Sequence, residues 1–369
     1  MNKEMNALAD NHTWEIWDLP LNKHAIGCKW VYKIKHKSDG TIERYKARLV
    51  AKGFTQEEGL DYTETFAPVT KMSSVRIILA IVASKSWPIF QMDVNNAFLH
   101  GTLDEEVYMQ LPPGYNKDVK NKGKVCRLLK SLYGLKQASR QWFSKFTDAL
   151  LSYGFQQSSN DYSLFKFTKD GTFLALLVYV DDIILTGTFV PQMEAVKSYI
   201  NSCFSIKDLG PLKYFLGLEV ARSSVEIFIN QRKYAMELLE DTGLLGCKPS
   251  KLPMDSKHTL GLSTSELMTD PTKYRRLVGR LIYLNVTRPD LSYSVHVLSQ
   301  FMCTQGKDHY HAALKVLRYV KAAPGQGLFF SATAPLNRIA YCDADWVSCP
   351  VTRRSVSGFF VQLGSAMVS

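Results

Sequence analysis

A chain of 369 residues, 46% of them apolar, is long enough for two or three compact units with their own cores, and too apolar to be disordered. Its formal net charge of +11 suits a polyanionic partner, which is a statement about association and not about fold. No apolar run approaches the roughly 18–20 residues of a membrane span, and the first thirty residues lack the continuous apolar segment of a secretory signal, so the pattern reads as a soluble intracellular protein with no membrane partner.

In chain order, residues 1 to about 70 carry the strand-like runs "CKWVYKIKHK" and "RYKARLVAKGF", joined by the turn "KSDGT". A period of two puts Lys46, Arg48, Val50 and Lys52 on one face, a row of cations that an ordinary solvated strand would also show. The run "SSVRIILAIVAS" from Ser73 to Ser84 predicts a buried helix opened by a Ser cap. "WPIFQMDVNNAF" predicts a strand with Asp93 inside it, whereas "HGTLDEEVYMQLPPGY" and the Lys-rich "NKDVKNKGK" read as loop and turn. Ala138, Trp142, Phe143, Phe146, Ala149, Leu150 and Tyr153 recur at helical spacing, so a long amphipathic helix begins near Ala138, with Gly134 marking the turn before it. "YSLFKF", "FLALLVYV" and "IILTG" predict strands, "QMEAVKSYINSCF" a helix, and "YFLGLEVARS" with "VEIFINQ" a further hairpin. Beyond about Lys233 the pattern is helical through "HYHAALKVLRYVKAA", and "RIAYCDADWVSCPVTRRSVSGFFVQLG" returns to strands. The seven cysteines are scattered and never form C-x-x-C, and the eight histidines lack finger-like spacing, so neither disulfides nor a zinc site is expected.

The stretch "LLVYVDDIILTG" places Asp181 and Asp182 between two strongly apolar runs. A plain hairpin with an Asp-Asp turn is one explanation, but favoured tight turns want Gly or Asn, and here the Gly comes late, at Gly187. Asp93 is a third carboxylate in an apolar, strand-like run. Isolated buried carboxylates are costly, and Mg²⁺ is the natural counter-charge because it binds through one or two protein carboxylates plus substrate phosphates. If the strand of Asp93 lies beside the hairpin, the acids can hold two ions for in-line phosphoryl transfer.

The ordered series "KARLVAKGFTQEEGLDYTETFAPV", "QMDVNNAFLHG", "EEVYMQLPPGY", "SLYGLKQASRQW", "LLVYVDDIILTG", "KDLGPLKYFLGLEVARS", "YRRLVGRLIYLNVTRPD" and "YCDADWVSCPVTRRSVSG" covers nearly the whole chain. It resembles the reverse transcriptases of copia-type long-terminal-repeat retrotransposons. The resemblance implies an RNA-directed DNA polymerase that adds dNTPs to a primer on an RNA or DNA template, with Mg²⁺, or Mn²⁺ in its place, as cofactor. It implies catalytic Asp93, Asp181 and Asp182, with Asp93, Asp181 and the Val94 carbonyl as metal ligands. Phe98 becomes the aromatic gate beneath the deoxyribose, with a core aromatic as the alternative. Tyr133, Gly134 and Gln137 of "YGLKQ" would pack on the incoming nucleotide, Lys46, Arg48 and Lys52 would meet its triphosphate, and Tyr214, Phe215, Leu216 and Gly217 would grip the primer end, with a core aromatic as the alternative for Tyr214.

The same resemblance implies an α+β right-hand polymerase. Its parts would be fingers at 1–70, palm at 71–103, a fingers insertion at 104–137, palm with the YVDD hairpin at 138–232, a helical thumb and connection at 233–330, and an incomplete ribonuclease H-like module at 331–369. Basic thumb residues such as Arg275, Arg276, Arg280 and Arg288 would track phosphates, some of them being ordinary solvated helix faces instead. Asp343 would be the first acid of a ribonuclease H site whose later acids fall after Ser369, so that activity is not expected. The implied location is a cytoplasmic virus-like particle. A catalytically silent nucleic-acid-binding remnant is the competing expectation; a two-metal nuclease fits less well, because Phe98 and "YGLKQ" serve nucleotide selection.

Overall fold

The computed structural model describes residues 1–36, 39–115, 123–255, 260–262, 265–349 and 352–369; most of the Lys-rich stretch and the start of the "KSDGT" turn lie outside them. The chain divides into two compact units, Met1–Thr70 with Ile89–Gly210, and Lys71–Pro88 with Pro211–Ser369. Both mix helices and sheets, as expected for an α+β chain.

The chain opens with α1 (Asn2–Asp10), β1 (Trp14–Asp18), β2 (Ala25–Ile26), β3 (Cys28–His36) and β4 (Ile42–Ala51). Next comes α2 (Met72–Lys85), which belongs to the second unit. The first unit resumes with β5 (Ile89–Val94), β6 (Thr102–Gln110), β7 (Lys124–Lys130), α3 (Ala138–Tyr153) and β8 (Gln156–Gln157). It closes with β9 (Leu164–Lys169), β10 (Thr172–Tyr179), β11 (Asp182–Gly187), α4 (Val190–Cys203) and β12 (Ile206–Pro211).

A six-stranded sheet in the order β12-β5-β11-β10-β9-β8 forms the floor of the first unit. Trp142, Phe146 and Leu150 of α3 recur every four residues and pack with Met193, Val196 and Ile200 of α4 against Met92, Leu176, Val178, Ile183 and Leu185 of this sheet. The helix stops where Gly154 takes a φ of +108°, a left-handed cap that costs glycine nothing. A second sheet, β1-β7-β6-β2, shares a core with Leu8 of α1 and with Leu49 and Ala51 of β4. Its β6 corrects the loop expected at "HGTLDEEVYMQLPPGY": Asp104, Glu105 and Glu106 disguise a strand whose Val107, Tyr108 and Met109 are fully buried between neighbours. Strands β3 and β4 pair with each other as a two-stranded ribbon.

In the second unit, α2 begins at Met72 with Lys71 as its cap and no side-chain capping bond, so Ser73 lies inside the helix and the expected Ser cap is not made. The following elements are β13 (Tyr214–Phe215), β14 (Leu218–Arg222), β15 (Glu226–Asn230), α5 (Arg232–Asp241), α6 (Pro271–Leu284), α7 (Ser292–Ser299), α8 (Lys307–Ala322), β16 (Gly327–Ser331), β17 (Arg338–Asp345), β18 (Val356–Leu363) and β19 (Ala366–Met367). Strand β16 returns to pair with β15 and completes the sheet β13-β14-β15-β16. Helix α2 packs on that sheet, and Arg222 donates to the Trp87 carbonyl at 2.7 Å, so 71–88 groups with the C-terminal part of the chain. The helices α5–α8 enclose their own core around Tyr274, Leu281, Leu298 and Leu317.

Candidate active site

The question raised by two carboxylates in an apolar stretch has a backbone answer. Strands β5 and β11 are antiparallel neighbours in which Asp93 stands opposite Asp182. Directly opposed residues point to the same face with Cβ atoms about 4.5–5.5 Å apart. On the other side, β10 and β11 close through the pair Tyr179 and Asp182, leaving Val180 and Asp181 as the two loop residues of a tight hairpin. The plain hairpin and the acidic cluster are therefore one object. Its tip is tied down twice: the Asp181 carbonyl accepts from the Val94 N–H at 2.9 Å, and Trp142 Nε1 donates to the Val180 carbonyl at 2.6 Å.

Val180 holds a φ of +55°. A β-branched residue in the left-handed region is strained by roughly 1–3 kcal/mol, and the Trp142 tether keeps it there. Relief of that strain offsets the flexibility a glycine brings, so Val180→Gly should leave chemical-denaturation stability within about 1 kcal/mol of wild type. Val178→Gly, at a buried and unstrained position of β10, should lose more than about 2 kcal/mol. Equal losses would show that Val180 carries no strain.

The acids repel one another. Burial first, then the Asp181 charge, pushes the Asp182 carboxyl up to about 6, against a hydrogen bond from Gln91 Nε2 at 3.3 Å. Burial and Asp181 also raise Asp93, while Lys46, Lys207 and Arg48 pull it back. A carboxyl raised in the folded state costs stability as pH climbs from its unfolded value near 4 to its folded value, and the loss persists above. In the absence of divalent ions Asp182→Asn should therefore be more stable than wild type at pH 7, by on the order of 1 kcal/mol after discounting for solvent screening, with no difference below about pH 4. Thermal unfolding across that range checks it, and a constant offset at every pH would contradict it.

Among the described residues no three His, Cys, Asp or Glu side chains stand ready as a closed metal cage. The donor set still fits a hard cation. Asp93 and Asp181 interact unfavourably without a counter-charge, and Mg²⁺ characteristically uses one or two carboxylates and leaves its other positions to water and substrate phosphate. The Val94 carbonyl lies one residue beyond Asp93 and offers a neutral oxygen donor.

An aromatic and cationic wall adjoins the acids. Phe98 sits in the turn Ala97–His100 after β5, partly buried between the two cores of the unit, with its ring edge-on to Tyr133 at 4.9 Å between centroids. The Arg48 guanidinium lies 4.2 Å from the centroid of the Tyr133 ring. Gly134, at a φ of +92°, lets this segment press on the ribbon: a Cβ there would meet the Ala51 carbonyl and the Val50 side chain, and the Tyr133 carbonyl accepts from Ala51 N–H at 2.8 Å.

The register of the ribbon sets Val31 against Arg48, Lys33 against Lys46 and Lys35 against Arg44, so one face is cationic, while Trp30, Tyr32, Ile34 and Tyr45 share the other. Like charges directly opposed are destabilising, and burial followed by repulsion from Arg48, Arg44 and Lys35 holds the Lys46 ammonium below its ordinary range. The expected cation trio divides here. Lys46 and Arg48 act on Asp93, but Lys52 lies past the end of β4 and acts on the Cys28 thiol instead. Lys207 on β12 is a cation that sequence reasoning missed, because only the pairing of β12 with β5 brings it to Asp93.

A family model described as Reverse transcriptase (RNA-dependent DNA polymerase) matches residues 11–256. The chain belongs to the reverse transcriptase family. Over its whole length it is 44% identical to the retrovirus-related Pol polyprotein from transposon RE1 of Arabidopsis thaliana and 38% identical to that from transposon TNT 1-94 of Nicotiana tabacum, both copia-type. It covers 25% and 28% of those two proteins, so it spans about a quarter of the length of the curated relatives it matches. The solved structure of the foamy viral protease-reverse transcriptase in complex with RNA/DNA hybrid aligns with 98% of this chain and 41% of that chain at 12% identity and a TM-score of 0.48.

Several residues expected to meet nucleic acid are committed elsewhere. Gln137 is 0% exposed; its Oε1 accepts from Gln56 at 3.0 Å and its Nε2 donates to the Asp61 carbonyl at 2.9 Å, so it braces the loop and offers no amide to a nucleotide. Phe215 is buried in its sheet and is core, whereas Tyr214 is half exposed. Between them and β14, Leu216 and Gly217 both take positive φ, and the Tyr283 hydroxyl donates to the Leu216 carbonyl, which fixes this bend. Arg288 is buried in a two-bond fork with Asp290, at 3.0 and 2.8 Å, and cannot track phosphates. Arg275 donates to the Met302 carbonyl and Arg280 pairs with Asp241, leaving Arg276 with Lys273 exposed beside a cavity of about 220 Å³. Asp343 lies exposed on β17 opposite Gly358.

Proposed function

We propose that this chain is the RNA-directed DNA polymerase portion of a copia-type Pol polyprotein. The observation that carries the reading is the pairing of Asp93 with Asp182 beside a strained tip bearing Asp181, three acids gathered from two neighbouring strands and the hairpin loop between β10 and β11. The reaction joins the primer 3′-oxygen to the α-phosphorus of a dNTP and releases pyrophosphate. Asp93 and Asp181, with the Val94 carbonyl, would hold the divalent ions. When bound, such ions make the 3′-hydroxyl more acidic and neutralise charge on the phosphates.

The remaining roles follow from position. Lys46 and Arg48 would receive the triphosphate, with Arg48 stacked on Tyr133 so that its fork is presented in one plane. Phe98 would support the sugar. The bend at Tyr214, Leu216 and Gly217 would meet the primer, and Arg276 with Lys273 would meet duplex phosphates. In this reading the first unit supplies the fingers and most of the palm, α5–α8 form the thumb of a right-hand polymerase, and 331–369 begins a ribonuclease H-like module that includes Asp343.

Primer extension on poly(rA) annealed to oligo(dT), with dTTP and Mg²⁺, tests the proposal. Extension that stops on adding a chelator supports it. Binding of the template-primer without extension would overturn it in favour of a silent nucleic-acid-binding remnant.

A further inference from the structure

The bend assigned to the primer end is the tip of a hairpin. Tyr214 pairs with Glu219 and Phe215 with Leu218, which leaves Leu216 and Gly217 as a two-residue loop with φ of +49° and +76°. Tight turns with positive φ at both positions favour Asn or Asp before Gly, and a leucine there gains nothing from its own side chain. What holds it is helix α6. The Tyr283 hydroxyl donates to the Leu216 carbonyl, and a Cβ added at Gly217 would strike that same hydroxyl, so the turn and the tyrosine are fitted to each other. A second tie, from the Lys233 N–H at the start of α5 to the Glu219 carboxylate at 2.8 Å, docks the base of the hairpin independently.

Tyr283 also stands at the end of a stripe. Lys273, Arg276, Arg280 and Tyr283 recur at three- and four-residue spacing, so they share one face of α6, and at 1.5 Å rise per residue the stripe is about 15 Å long. Lys273 and Arg276 are the exposed cations assigned to duplex phosphates, at the cavity they line with Asp241 and Arg280. Tyr234 of α5 braces the other end. Its ring is edge-on to that of Tyr283 at 4.8 Å between centroids, and the Arg280 guanidinium lies 5.4 Å from its centroid while pairing with Asp241. One helix therefore carries the cations assigned to phosphate at one end and the tether of the turn at the other.

We propose that Tyr283 is a positioning residue for primer extension: its hydroxyl sets the Leu216–Gly217 turn in register with the cationic face of α6, so that the primer end and the duplex behind it are held as one body. The inference rests on the reading that this turn meets the primer. Without the hydroxyl the hairpin stays docked through Glu219, but its tip is no longer fixed, and a primer end that strays by about an ångström reaches the reacting geometry less often. Duplex binding is untouched, because the cations remain.

Tyr283→Phe removes the hydroxyl and keeps the ring on Tyr234. On poly(rA) annealed to oligo(dT) it should lower kcat for dTTP addition about threefold to tenfold, with the KM for dTTP and the template-primer affinity each within about twofold of wild type. A role in stability alone would lower the unfolding temperature and leave kcat per active molecule unchanged, and that result would overturn the proposal. Gly217→Ala should also slow extension, and its cost should shrink in the Tyr283→Phe background, where the methyl has no hydroxyl to strike; strictly additive costs would count against the fit of turn and tyrosine. A 4-thiothymidine at the primer 3′ end, irradiated on the bound complex, should cross-link to the peptide containing Tyr214 to Gly217 in wild type and less in Tyr283→Phe. Equal cross-linking in both overturns the proposal while the primer assignment stands. No cross-link to that peptide in wild type removes the assignment itself, and this inference with it.

Discussion

Asp181→Asn should reduce primer extension at least about a hundredfold, which corresponds to losing a few kcal/mol of transition-state stabilisation. The same change should leave template-primer affinity within about twofold, because duplex affinity comes chiefly from cationic contacts to phosphate. The fold should also survive it. Asp181 holds the hairpin to β5 through its backbone carbonyl, which accepts from Val94 N–H and which asparagine retains. Removing this charge relieves the repulsion that raises Asp93 and Asp182, so the metal-free variant should unfold at a temperature no lower than wild type. Single-nucleotide extension, filter binding and thermal unfolding on the same preparation separate these effects. Equal loss of extension and binding would mean that the acids organise the fold and not the chemistry.

Phe98→Val carries the second large effect, and the structure makes it a compound one. The ring packs against both cores of the first unit and stands edge-on to Tyr133, so shortening it should cost about 1–3 kcal/mol of stability. If the ring also occupies the space a ribose 2′-hydroxyl needs, the variant should incorporate ribonucleotides about tenfold to a hundredfold better relative to the matching deoxyribonucleotides, since a hydroxyl trapped without a partner costs on the order of 1–3 kcal/mol and overlap adds to this. The ratio of the two incorporation efficiencies cancels any loss of folded enzyme. A ratio unchanged from wild type would leave Phe98 as a core residue alone.

Much of the scaffold was legible because local pattern and final environment agree. The spacing of Ala138, Trp142, Phe146 and Leu150 forecast α3, and its buried face is made of those residues. The ribbon's period of two placed Lys46 and Arg48 together correctly. Legibility failed where tertiary context overrides local signal. Asp104 to Glu106 read as loop, but they lie within β6, whose following residues Val107 to Gln110 pair with β7 and whose Tyr108 and Met109 pair with β2. Ser73 read as a cap, but the helix starts at Met72. Gln137 read as a ligand contact because its motif names it, and only the fold shows both ends of its amide in use.

The candidate site follows the same division. That Asp93, Asp181 and Asp182 belong together was readable from their apolar surroundings, since buried charge needs a reason. How they meet was not. Strand adjacency is a nonlocal fact, and the left-handed Val180 under its Trp142 tether contradicts the residue's own preference, as strained turns at working sites do. Lys207 had no signal at all, because it is an ordinary surface charge until the pairing of β12 with β5 brings it beside the candidate-site acid Asp93.

The most direct test of the central claim is to locate the ion. Crystals soaked with Mn²⁺ and dTTP, with diffraction measured near the manganese absorption edge, should show anomalous density within about 2.0–2.4 Å of carboxylate oxygens of both Asp93 and Asp181, and that density should vanish in Asp93→Asn. Manganese bound elsewhere, with these two carboxylates making no contact to it, would contradict the account.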